Sequence, residues 1–200
     1  MNKRHLDVGC GAKARNPFGA DFVWGCDIVK LNGNDKATDF EFVLADLTTP
    51  PLPFENDFFD TVSAFDVIEH IPRTGTLNGR SYSPFIELMN EIYRILRPGG
   101  TFLASTPVYP HPAAFQDPTH VNFITEKTHT YFCGADPYAR RYGFLGQFSP
   151  RKVAREPQKN IEDRSSSDFR KKFRTFEHKY LKNGLSHITW ELIAIKSNLL

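Results

Sequence analysis

Along this chain of 200 residues, apolar residues come in short blocks that stop at glycine, proline or acidic positions. The block over residues 4–8 ends at a glycine turn and reads as a buried parallel strand, and Phe22–Ile28, Glu41–Asp46 and Phe59–Phe65 follow as further strand candidates. Pro17 and Gly19 lie between the first two blocks and the polar run Asn32–Lys36 between the next two, so both early crossovers are expected to be short or degenerate. Pro50–Pro53 with Asp57 marks a loop, and Asp66 falls at the carboxyl end of the fourth strand. Ser83 before Pro84 signals a helix start. Phe85, Leu88, Met89, Ile92, Ile95 and Leu96 then recur at helical spacing until Pro98-Gly99-Gly100 stops the helix.

Thr101–Ser105 reads as a fifth strand, followed by a long loop rich in Pro and His that ends near Thr125-Glu126-Lys127, where a helix cap is expected. His187–Lys196 alternates and holds strand-forming residues, and could pair with Tyr142–Phe148 as a terminal hairpin. Strands alternating with crossovers at this spacing indicate an α/β fold with a mostly parallel sheet. Between the two hairpin segments the rhythm breaks. Phe169, Phe173, Phe176 and Tyr180 recur at spacings of four, three and four, which predicts an amphipathic helix, carried on a mobile loop, with its aromatic stripe packed on the domain. Arg170, Lys171, Lys172, Arg174 and Lys179 interleave them, so the alternative is a basic face that meets an anionic acceptor such as a nucleotide-linked sugar, a phospholipid or RNA.

Composition narrows the class without naming it. With 40% apolar and 24% charged residues the chain is globular, and its 18 Phe are expected mostly in the core. The length suits one domain over 1–200, with the first strand almost at the start and an insertion or lid at about 150–183. No apolar run reaches the length of a membrane span, and no apolar stretch follows the basic start, so a soluble, cytoplasmic protein is expected. Cys10, Cys26 and Cys133 are odd in number and lack zinc-ligand spacing, which argues against disulfides and structural zinc. A net charge of +2 does not by itself imply nucleic acid, although residues 138–182 are locally rich in Arg and Lys.

The chemistry starts at Gly9-Cys10-Gly11, where missing side chains let the backbone approach a ligand and donate N–H groups. Gly9-Cys10-Gly11-Ala12-Lys13-Ala14 also satisfies a dinucleotide fingerprint, so a nicotinamide-dependent oxidoreductase is an alternative. Asp27 ends the second strand, where a carboxylate can accept from both ribose hydroxyls. Asp46 ends the third, where it could accept from an adenine amino group, and this second acid favours methyl transfer.

Through Leu6-Asp7-Val8-Gly9-Cys10-Gly11, Gly25–Ile28, Ala45-Asp46-Leu47, Pro53-Phe54 with Phe59-Asp60, Asp66–Ile71 and Arg94–Gly100, the chain resembles the class I S-adenosylmethionine-dependent methyltransferases, in particular those with a type 11 methyltransferase domain. The resemblance implies a Rossmann-like, mostly parallel seven-stranded sheet with a C-terminal antiparallel hairpin, here with shortened early helices and a basic helical insertion. It implies S-adenosylmethionine as cofactor, with Asp7, Gly9, Cys10 and Gly11 at its methionine part, Asp27 at the ribose, Asp46 and Leu47 at the adenine, Phe65 and Asp66 on the sulfonium side, and Ile28 also among the cofactor-binding residues.

The acceptor half is expected around two histidines. Asp66, Glu69 and His70 have i, i+3, i+4 spacing and would share a face if the segment turned helical. His70 is then a candidate general base, or Asp66, Glu69, His70 and His120 a divalent-metal site, since carboxylates and imidazole suit Mg, Mn or Fe. This pattern resembles the metal-binding segment of small-RNA 2'-O-methyltransferases and some quinone-pathway O-methyltransferases; the plainer reading is a histidine bonded to a neighbouring loop. Asp117 and His120 could form an acid–base pair beside Tyr109, Phe115 and Phe123, or Asp117 could cap a turn. The expected reaction is O-methylation of a hydroxyl on a small molecule or saccharide, with RNA 2'-O-methylation and a non-catalytic cofactor-binding protein as alternatives.

Overall fold

The computed structural model describes residues 2–29, 40–77, 79–182 and 184–196. Its strands are β1 (Arg4–Val8), β2 (Phe22–Asp27), β3 (Glu41–Leu44), β4 (Phe59–Phe65), β5 (Gly75–Leu77), β6 (Arg80–Tyr82), β7 (Leu96–Pro107), β8 (Phe148–Arg155) and β9 (His187–Ala194). The helices are α1 (Pro84–Ile95), α2 (Ala113–Gln116), α3 (Gln158–Glu162) and α4 (Asp168–Leu181). Seven strands form one sheet in the order β3-β2-β1-β4-β7-β9-β8. β1 pairs in parallel with both β2 and β4, β2 with β3, and β4 with β7; β9 runs antiparallel between β7 and β8. The expected α/β sheet with a C-terminal antiparallel hairpin is therefore present, and β5 and β6 add a small separate hairpin.

The central strands are the most buried because parallel strands covered on both faces can be apolar throughout. Every residue of β4 is buried, and Phe59, Phe102, Phe132, Phe144, Phe148 and Trp190 are fully enclosed. No helix forms in residues 9–21 between β1 and β2, as Pro17 and Gly19 imply; the expectation for Asn32–Lys36 lies outside the described residues. α1 starts at the Ser83 cap with Pro84 in its first turn and ends at Ile95, ahead of the Pro98-Gly99-Gly100 stop, because Arg97 precedes a proline and is pushed toward extended backbone.

Three expectations need correction. The partner of β9 is Phe148–Arg155, not Tyr142–Phe148: the edge strand carries Arg151, Lys152 and Arg155 and so lacks the alternation that would have revealed it. Thr125 does bond the Lys127 amide, but it leads into a 3-10 turn over Thr128–Phe132. Finally, α4 buries none of its residues, and Phe169, Phe173, Phe176 and Tyr180 face outward.

The segment between β8 and β9 is nevertheless anchored. Asn160 and Ile161 of α3 are buried, Ile161 with Phe65 and Leu103. Much of the local basic excess is also structural: Arg151 and Arg164 both pair with the buried Glu191 of β9, Arg155 pairs with Glu126, and Arg174 with Asp163.

Candidate active site

In the strand order, β1 has β2 on one side and β4 on the other, so the chain leaves this point in two directions and opens a crevice beyond the carboxyl ends. A cleft of about 250 Å³ lies there, lined by Gly9, Asp27, Ile28, Asp46, Leu47, Thr48, Asp66, Val67, His70 and Ile71. Residues picked out on four separate strand ends thus meet in one space.

The glycine turn contributes shape more than donors. The Gly9 and Cys10 amides both donate to the Cys26 carbonyl, at 2.8 and 3.1 Å, which clamps the turn to β2. The Gly11 amide donates to Asp27 Oδ2 at 2.9 Å. The expected donation of these amides to a ligand is therefore corrected: the protein uses all three. Gly9 has φ +64°, and a Cβ there would collide with the Val67 side chain, whereas a Cβ on Gly11 would meet nothing within 4 Å. Asp27 Oδ1 accepts the Val29 amide at 2.9 Å, so each of its oxygens is held by one backbone N–H and keeps a lone pair for a further donor.

Asp7, Cys10, Gly11 and Phe65 do not line the cleft. Asp7 is fully buried beneath the turn, accepting from the Arg15 amide at 2.9 Å and the Ser63 hydroxyl at 2.5 Å. Burial raises its carboxyl to about 6 against these bonds. Ser63 in turn meets the buried His5, whose imidazole is lowered to about 4 by burial. Cys10 is buried and its thiol, pushed up to about 12 by burial, bonds the Gly11 carbonyl rather than acting as a nucleophile. Phe65 packs with Leu103 and Ile161, beneath the Arg15 guanidinium at 4.9 Å from its ring.

Asp46 Oδ1 accepts from the Thr48 amide and hydroxyl, at 2.8 and 2.7 Å. Burial opposes ionisation, but the Thr48 and Thr49 hydrogen bonds outweigh it and hold the carboxyl below its usual range. Asp66 has φ +55° and is gripped from two distant segments: Gln158 of α3 donates to Oδ2 at 2.7 Å, and His187 Nε2 lies 3.0 Å from Oδ1. Here too burial is outweighed, by His187 and then Gln158, and the acid is lowered.

Glu69, His70 and His120 each bring one ligand atom within 4.8 Å of the others. The segment does not turn helical; the loop beyond β7 is stitched onto it instead, the Val121 and Asn122 amides donating to the Glu69 carbonyl and the Asn122 side chain to the Ile68 and Ile71 carbonyls. Asp66 is corrected out of the metal set, since among the described residues the cluster whose ligand atoms approach one another holds Glu69, His70 and His120 without it. Asp117 is corrected as well: it accepts from the Thr119 amide and hydroxyl, at 2.8 and 2.7 Å, and does not bond His120. With its proton on Asp117, the Thr119 hydroxyl can only accept from His70 Nδ1, 2.8 Å away. His120 Nδ1, 3.2 Å from the Ala114 carbonyl, must donate too. In its neutral form each ring would therefore present an unprotonated Nε2. Beside them Glu69 Oε2 accepts from Thr106 at 2.9 Å, while Oε1 is buried with no hydrogen-bond partner. Burial raises this carboxyl to about 7.

Sequence reading missed His187, Gln158 and Thr119. His187 was visible only as the first residue of a strand. The antiparallel direction of β9, with His187 opposite Pro107, is what brings it to the cleft end of the sheet.

Comparison with known proteins bears on the family and the fold. Residues 6–104 match the family model described as a methyltransferase domain. The sterol 24-C-methyltransferase of Saccharomyces cerevisiae is 32% identical over 111 residues, covering 48% of this chain and 25% of the relative. That of Schizosaccharomyces pombe is likewise 32% identical over 111 residues, covering 50% and 26%. The chain thus spans about a quarter of the length of these curated relatives. Among solved structures, a chain of the complex between the Haloferax volcanii Trm112 methyltransferase activator and a methyltransferase superposes with TM-score 0.61 at 18% identity, over 98% of this chain and 84% of that one. An S-adenosylmethionine-dependent methyltransferase from Mesorhizobium loti superposes with TM-score 0.59 at 16% identity, over 96% and 91%. These likenesses establish the Rossmann-like fold.

Proposed function

We propose, from the premise that the chain belongs to the class I, Rossmann-like S-adenosylmethionine-dependent methyltransferases, that it transfers a methyl group to a hydroxyl on a small-molecule or saccharide acceptor presented beside His70 and His120. The observation that carries this reading is the single cleft joining Gly9, Asp27, Asp46, Asp66 and His70.

S-adenosylmethionine, when bound, supplies a methyl group already activated by its sulfonium charge, which leaves the protein with positioning and proton removal. Its fit rests on Asp27, which lines the cleft with spare lone pairs that suit ribose hydroxyls. Asp46, Leu47 and Ile28 flank the same cleft and suit the adenine. Asp66, held ionised by His187 and Gln158, faces the cleft as a fixed negative charge. His70 lines the cleft with Nε2 free to accept the acceptor's proton, and the Thr119–Asp117 relay steadies the cation that forms.

Glu69, His70 and His120 also fit a divalent cation, because one ligand atom of each lies within 4.8 Å of the others and the buried Glu69 Oε1 has no hydrogen-bond partner. A bound cation would act there as a Lewis acid, lowering the pKa of an acceptor hydroxyl. One lone pair cannot serve both roles, so His70 is either the base or a ligand. A carbon acceptor is the second reading, favoured by the two sterol C-methyltransferase relatives.

Calorimetry with S-adenosylhomocysteine and NAD tests the cofactor: affinity for the first and none for the second is expected, and the reverse overturns the proposal. Turnover of methyl-13C-labelled cofactor across hydroxyl-bearing acceptors, read by NMR, then separates oxygen from carbon methylation.

A further inference from the structure

α4 is built inside out. Phe169, Phe173, Phe176 and Tyr180 form one stripe at the 100° per residue of a helix, yet they are 78%, 61%, 54% and 62% exposed. The helix is held to the protein by its polar side instead. Lys171 Nζ donates to the Arg164 carbonyl at 2.7 Å, Arg174 reaches Asp163 at 3.2 Å, and the Asn160 amide group reaches the Lys171 carbonyl and Thr175 hydroxyl at 3.0 and 3.2 Å. A contiguous exposed aromatic ridge on a soluble-looking domain marks a contact surface, since leaving it in water forgoes the burial that elsewhere drives the fold.

Charge selects the occupant. The 14 residues of α4 include five basic and two acidic side chains. Lys172 and Lys179 lie along one edge of the stripe and Arg170 along the other, and among the described residues none of the three forms an ion pair with a carboxylate. Two copies of this face would set like charges against each other, which disfavours a dimer. A convex ridge of rings bordered by cations is instead the form of a helix that lies in a bilayer interface, rings among the acyl chains and cations at the headgroups. We infer that α4 docks the protein on an anionic phospholipid surface. No helix among the described residues is long and apolar enough to cross a membrane, so the attachment is peripheral.

The test uses the whole chain and vesicles of phosphatidylcholine with or without phosphatidylglycerol, without cofactor, so that its failure leaves the methyltransferase reading standing. Sedimentation should show binding at least about tenfold stronger to the anionic vesicles, weakening as salt rises. F173S/F176S and K172E/K179E should each lose about tenfold of that binding with the thermal midpoint unchanged, because these side chains are exposed. Phe173→Trp should shift its emission to the blue on vesicles. Equal affinity for neutral vesicles, no blue shift, preference for an RNA oligonucleotide over vesicles, or a dimer that F173S/F176S dissolves would each overturn the inference.

Discussion

His187 Nε2 lies 3.0 Å from Asp66 Oδ1, linking the first residue of β9 to a residue that lines the cleft, across 121 positions of sequence. His187 is a positioning residue: it fixes a carboxylate whose backbone already sits at φ +55°. Replacing it with Phe keeps the ring and removes the bond. Calorimetry should then show roughly tenfold weaker S-adenosylhomocysteine binding, the scale of one charge-assisted hydrogen bond. Unchanged affinity would mean that Gln158 alone orients Asp66.

Thr119→Val should cut the link from Asp117 to His70 while leaving the cleft intact. The expected result is a fall in kcat of about tenfold with the cofactor KM unchanged, and recovery in Thr119→Ser, which restores the hydroxyl. Equal loss in both variants would indicate a packing role for Thr119.

Metal dependence can be read without turnover. After chelation, adding Mn2+ or Mg2+ at a hundredfold excess over Kd should stabilise the fold by about 2.7 kcal/mol. In Glu69→Gln that response should vanish while the metal-free midpoint stays within a few degrees, because Gln keeps the bond from Thr106. A parent midpoint that ignores both ions removes the metal reading and leaves His70 as the base.

Gly9→Ala should cost about 3 kcal/mol, part from the left-handed φ and part from collision with Val67. In a Val67→Ala background only the collision is relieved. Denaturant unfolding of the four proteins should give a favourable coupling of about 1–2 kcal/mol.

Asp7 and His5 impose opposite pH dependences on stability. Below its ordinary 6.5 the unfolded chain protonates His5, whereas the folded protein resists until about 4, so this part of stability rises with pH over that window. The folded protein keeps the Asp7 proton up to about 6, whereas the unfolded chain releases it near 3.8, so the second part falls as pH rises. Asp7→Asn removes only the fall. Relative to the parent, the variant should therefore gain stability between pH 4 and 6, by on the order of 2–3 kcal/mol in urea unfolding. A constant difference across that range would show that Asp7 is ionised throughout.

The five parallel strands, β9, the glycine turn and α1 were legible in the sequence because each is a local pattern: apolar runs, alternation, missing Cβ atoms, and a 3.6-residue period bounded by Ser83-Pro84 and Pro98. The acids at the strand ends were legible too. In a parallel sheet the carboxyl ends share one edge, so Asp27, Asp46 and Asp66 had to converge. Which atoms remained available was not legible, because hydrogen-bonding capacity is claimed by residues far away in the chain. Gln158 and His187 fixed Asp66, Cys26 and Asp27 took the turn amides, and Arg15 and Ser63 turned Asp7 inward. The helical period of α4 was equally plain in the sequence. Period alone fixes that a helix has an apolar face; only the polar anchors at Asn160, Asp163 and Arg164 decided that this face points away from the protein.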